Sequence, residues 1–94
     1  MSYLESESYD LALKDFQMVA SFDENYPEVF NLMGLSKTHL NDIENALKDF
    51  FHAVEIGSRN IAVFNGISYA YLMLGKFEKA LIYSNIALEK ESKN

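Results

Sequence analysis

The sequence predicts an all-α fold, an α-α superhelix of stacked antiparallel helical hairpins. Three observations carry this expectation. The first is a 34-residue period. Phe30-Asn31-Leu32-Met33-Gly34 is echoed by Phe64-Asn65-Gly66-Ile67-Ser68. Leu40 to Leu47 is echoed by Leu74 to Leu81, and Tyr9-Asp10-Leu11-Ala12-Leu13 is an earlier copy of Ile43 to Leu47. A period of this size marks stacked helical units. The second observation is punctuation: one proline and a few scattered glycines separate the apolar-periodic segments by short turns, which makes successive helices antiparallel neighbours. The third is a set of small residues at fixed places in the period. Gly34 and Ser68 share one place, Ala12, Ala46 and Ala80 another, and Val19, Ala53 and Ala87 a third. Closely paired helices leave no room for bulk where they cross. Phe16, Phe30, Phe50 and Phe64 fill the space between.

Residues 8–21 read as the first full helix, with residues 2–6 either a helical stub or the start of that helix. Pro27 suits the first turn of the next, over residues 27–40. A third helix begins at Asn41 or Asp42, where Asn41 and Glu44 have the form of a capping box, and ends at Gly57-Ser58. Asn60 is the expected N-cap of a helix over residues 61–74. Gly75 then turns the chain into a last helix, from Lys76 or Phe77 to about Lys90. One domain over residues 1–94 is expected, divided into a partial repeat 1–26 and repeats 27–60 and 61–94.

Composition bounds the function. The chain is 49% hydrophobic, with seven Phe and six Tyr, enough apolar material for a packed core. Its formal charge of −6 argues against nucleic acid and against an anionic membrane surface. There is no cysteine, hence no disulfide or thiolate chemistry. The first residues lack the basic and apolar stretches of a signal peptide, and no apolar run approaches membrane-spanning length. A cytoplasmic protein, or a piece of a longer one, is expected. His39 and His52 stand alone, on different helices, and His52 reads as a surface residue. No glycine-rich phosphate loop occurs, and none of the many Asp and Glu residues has the apolar flanks that would raise its pKa. No enzyme activity, metal or cofactor is expected.

The phased positions together resemble the tetratricopeptide repeat (TPR) family over residues 9–88. The middle repeat supplies Phe30, Met33-Gly34, Asn41 at the helix-joining place, Ile43, Ala46, Phe50 and Ala53. The last supplies Phe64, Ile67-Ser68, Tyr71, Gly75, Phe77, Ala80, Ser84 and Ala87. Three departures stand out. Lys37 occupies the place of Tyr71, Ser84 that of Phe50, and the family's proline after the second helix is replaced by Glu24, Ser58 and Ser92. Each is expected to loosen local packing.

The resemblance implies a concave face lined by the first helix of each hairpin. Carried onto this chain, its ligand-facing places include Glu28, Asn31, Leu35, Thr38 and His39, then Ala62, Asn65, Tyr69, Leu72 and Met73. From these, Asn31, Leu35, Thr38, His39, Asn65, Tyr69, Leu72 and Met73 are the candidate peptide-binding residues. Asn offers a donor and an acceptor to a peptide backbone, Tyr69 an amphipathic anchor, and Leu72 and Met73 an adaptable apolar floor. One family subtype grips a C-terminal carboxylate with Lys, Asn and Arg. The matching places here hold Asn31, Leu35, Ala62, Asn65 and Gly66, without positive charge, so such a clamp is not expected. The expected partner is a protein or a mostly neutral or apolar peptide.

A rival surface comes from breaks in the period. Lys14 and Lys48 become Ile82, Asp15 and Asp49 become Tyr83, and His52 becomes Ile86. Leu81, Ile82, Tyr83 and Ile86 are therefore the self-association candidates, and a homo-oligomeric structural scaffold is the second functional reading. A small assembly or secretion chaperone is a third.

Overall fold

The computed structural model describes residues 3–23, 25–58 and 60–92. They form five α-helices: α1 (Tyr3–Phe22), α2 (Pro27–His39), α3 (Ile43–Glu55), α4 (Ile61–Met73) and α5 (Phe77–Ser92). Each helix packs against the next, and α2 also touches α4. The order is that of stacked antiparallel hairpins. α2 and α4 form one layer, and α1, α3 and α5 line up outside it. The alternative left open at the N-terminus is resolved over residues 3–6, which run into α1 without a break. α5 extends to Ser92, slightly past the expected stop near Lys90. Ser2 and Glu24 lie outside the described residues.

Three helix ends share one turn. Asn41 (φ 66°), Gly57 (φ 106°) and Gly75 (φ 76°) each adopt the left-handed conformation just past a helix. Each N–H bonds back three residues, and the next N–H bonds back five: Asp42 to Lys37 O at 2.8 Å, Ser58 to Ala53 O at 2.9 Å, Lys76 to Tyr71 O at 2.9 Å. This is the Schellman arrangement, which satisfies the last carbonyls of the helix. Asn41 is therefore the end of α2 and not the cap of α3, so the expected capping box does not form. Asp42 takes the N-cap position without a side-chain cap bond. Its carboxylate instead accepts from the Asn45 amide at 3.0 Å. The Asn60 cap forms as expected, with Oδ1 accepting from Ala62 N–H at 2.9 Å.

The core sits between α3 and α4. Ile43, Ala46, Leu47, Phe50 and Ala53 of α3 meet Val63, Ile67 and Ala70 of α4. Phe50 is 1% exposed and lies between two glycines. A Cβ on Gly34 would stand 2.8 Å from its ring, and one on Gly66 2.7 Å. The bulk of Phe50 thus requires the absence of a side chain on both α2 and α4. One period later the pair Gly34/Phe50 becomes Ser68/Ser84. With the phenyl ring gone, a serine side chain fits, and Ser68 Oγ donates to Ala80 O at 2.8 Å.

Ala46, Ala53, Ala80 and Ala87 are buried as the period predicts, but their counterparts on α1 are not. Ala12 is half-buried and Val19 is 42% exposed, because no helix among the described residues covers that side of α1. Lys37 also departs from expectation. It does not loosen the packing but pairs with Asp49 on α3, Nζ to Oδ2 at 2.8 Å, with both side chains largely enclosed. That oxygen is sealed from water and takes no other partner among the described residues.

Candidate functional site

α2 and α4 lie side by side and leave a hollow of ≈ 410 Å³ between them. It is lined by Leu35, Thr38 and His39 from α2, Phe50 from α3, and Ala62, Asn65, Gly66 and Tyr69 from α4. Gly66 has no side chain to screen Phe50 from this face, so the phenyl ring forms part of the floor. α4 carries no charged residue at all. His39 is the one ionisable side chain of α2 at the hollow, and its ring stacks on Tyr9 of α1 at 4.3 Å and 8°. The hollow is therefore apolar at its base, with amide, imidazole and phenol groups near its walls.

Five of the eight peptide-binding candidates meet here: Leu35, Thr38, His39, Asn65 and Tyr69. Thr38 contributes little polarity, since it is buried and its Oγ1 donates to Gly34 O at 2.8 Å. Asn31, Leu72 and Met73 are not part of the lining. Asn31 is 9% exposed, unlike Asn65 at the same place in the period. Leu72 and Met73 are exposed near the other end of α4, where Met73 borders a separate depression with Asn41, Asp42, Ile43 and Glu44. Phe50 is the lining residue that sequence reasoning assigned only to the core. The signal that could have found it is the glycine pair 34 and 66, one on each helix flanking it.

The self-association candidates also separate. Leu81 and Ile82 are exposed, whereas Tyr83 and Ile86 are half-buried. Tyr83 belongs to an aromatic cluster, 5.7 Å from Phe51 and 5.8 Å from Tyr71 between ring centroids. Burial, and after it the neighbouring Tyr71, push its phenol above the ordinary value. His52 is not the free surface residue expected. It is half-buried and meets the Phe30 ring at 4.3 Å in an edge contact.

Among the described residues no group of three or more His, Cys, Asp or Glu side chains is placed to hold a metal ion. No helix there is long and apolar enough to cross a membrane.

No protein-family model matches the sequence, and no curated protein matches it significantly. Solved structures do. MamA AMB-1, in a P212121 crystal form, superposes over 98% of this chain with a TM-score of 0.85 and 24% identity. MamA MSR-1 does so over 97% with a TM-score of 0.84 and 25% identity. The fold is a TPR-like helical repeat. The chain spans 54% of the first of these structures and 52% of the second, about half of each. The TPR-like stack gives the hollow its place, on the layer formed by the first helices of successive hairpins.

Proposed function

We propose that this chain is a protein-interaction module that receives an apolar side chain of a partner segment in the hollow between α2 and α4. Asn65 and Tyr69 meet the partner's backbone at the rim. The observation that carries this reading is the composition of the hollow: a floor of Phe50 and Gly66, walls of Leu35 and Ala62, and no Lys, Arg, Asp or Glu. Its volume falls within the ordinary range of ligand pockets. A charged side chain placed there would lose its hydration without gaining a counter-ion. An uncharged bulky one would gain by burial. The TPR-like fold supports the same face, since stacked helical hairpins present a concave surface.

The test is a peptide array of uncharged sequences, each with one bulky apolar residue, compared with versions carrying Glu or Ala there. Capture that depends on the bulky residue and is lost in Asn65→Ala and Tyr69→Ala, at unchanged solution mass, is the expected result. Capture that persists in both variants sinks the proposal.

A further inference from the structure

Carboxylates stand at both ends of the seam between α2 and α4. At the starting end, Glu28 Oε1 accepts from the Asn60 side-chain amide at 3.4 Å, which ties the first turn of α2 to the cap of α4. At the other end, Asp42 and Glu44 border the depression of ≈ 340 Å³ that Met73 and Leu74 line from the end of α4. All three carboxylates are exposed. No Lys or Arg lines the hollow or the depression. Lys37, the one lysine of α2, is turned to α3 and held by Asp49 at 2.8 Å. The seam thus reads negative, apolar, negative along its length.

α2 has 13 residues, so these ends are about 20 Å apart. An extended segment covers that distance in about six residues. We infer that the occupant of the hollow is a basic segment of a partner protein, with two Lys or Arg about six residues apart and the buried apolar residue between them. This rests on the hollow as the receiving site and adds the charges that select its partner. Each cation ends beside an exposed carboxylate and keeps most of its water, so only the apolar side chain is desolvated. A segment with Asp or Glu at the same places meets like charge at both ends. The formal charge of −6 also draws a basic segment toward the chain.

A second copy of this chain does not supply the segment. Its Lys and Arg stand either three or at least eleven residues apart. Nor would further helices of the same period cover the seam, since each hairpin stacks beside the one before it, as α4 does on α2 and α3.

The test uses the full chain and labelled, end-capped peptides at about pH 8, where histidine is neutral. The first is Lys-Ser-Ser-Leu-Ser-Ser-Lys. Two others carry Gln or Glu in place of both lysines, one carries Ala in place of Leu, and one is Ser-Ser-Lys-Leu-Lys-Ser-Ser. Fluorescence anisotropy is expected to rank the first three Lys, Gln, Glu, with the Lys peptide about two- to tenfold tighter than the Gln peptide. That advantage should largely vanish in about 0.5 M salt. Glu28→Gln/Glu44→Gln in the protein should remove it too, while the Gln peptide binds as before. Equal affinity for the Lys and Gln peptides, with Leu still preferred to Ala, overturns this inference and leaves the hollow standing. Equal affinity for the two lysine spacings also overturns it, because net charge alone would then be the attraction. Indifference to Leu against Ala would sink the hollow as a receiving site, and this inference with it.

Discussion

Lys37 and Asp49 join α2 to α3 through an ion pair of 2.8 Å, and one period later the same two positions hold Tyr71 and Tyr83, whose rings stack at 5.8 Å. Two neighbouring hairpins thus close one contact with different chemistry, charge in one and aromatic area in the other. The ion pair is mostly enclosed, so each charge depends on the other. Lys37→Ala is expected to cost about 1–3 kcal/mol, between the values for exposed and fully buried pairs. The double variant Lys37→Tyr/Asp49→Tyr should recover most of what either single Tyr variant loses, as read by urea denaturation in a double-mutant cycle.

Gly34→Ala places a methyl 2.8 Å from the Phe50 ring, which is wedged against Gly66 on its other side and cannot retreat. The expected loss is roughly 1–3 kcal/mol, the usual penalty of overpacking a core. Ser68→Ala, at the equivalent position, meets no phenyl ring and should lose only about 1 kcal/mol, for its hydrogen bond to Ala80 O. Thermal melts of the two variants side by side decide the matter. Equal losses would mean that Phe50 can move.

Asn41 sits at φ 66°, where the other two Schellman turns use glycine. Asn41→Gly relieves that conformation and should stabilise the chain slightly. Asn41→Val, with its branched Cβ, should destabilise it by about 1 kcal/mol or more. Chemical denaturation separates the two signs.

The Tyr83 phenol is held above its ordinary value of 10.0, first by burial and then by Tyr71. The folded chain therefore keeps this proton to a higher pH than the unfolded chain does. The corresponding stability is fully present below pH 10 and is lost as pH rises through the folded value. Tyr83→Phe should show a smaller drop in stability between about pH 8 and about pH 11 than the parent. An identical drop would place the alkaline sensitivity elsewhere.

What the sequence made legible was local or periodic. The Asn60 cap, the turns at Gly57 and Gly75 and the buried Ala46 and Ala53 follow from short-range chemistry repeated in phase. The TPR-like stack follows from the period. The hollow was half legible, because helical spacing places Leu35 and His39, or Asn65 and Tyr69, on one face of a helix but not the depth at which a neighbour leaves them. Asn31 and Asn65 read alike and differ in burial. Lys37 and Asp49 are twelve residues apart on different helices, so their pairing exists only once the hairpin closes. Asn41 misled because one residue type serves both as an N-cap and as a left-handed C-terminal turn.

α4 has no charged residue and is sandwiched between α3 and α5. From the α5 side, Lys79 Nζ lies 5.5 Å from the centre of the Tyr71 ring and Lys90 Nζ 5.2 Å from that of Phe64, so α5 supplies the cations that α4 lacks. An opening that lifts α5 away bares the rings of Phe64 and Tyr71 on a helix with no charge of its own. Fraying of the last helix is then a route to aggregation and not a harmless loosening of an end. Whatever holds α5 in place also sets how long the chain stays dispersed at high concentration.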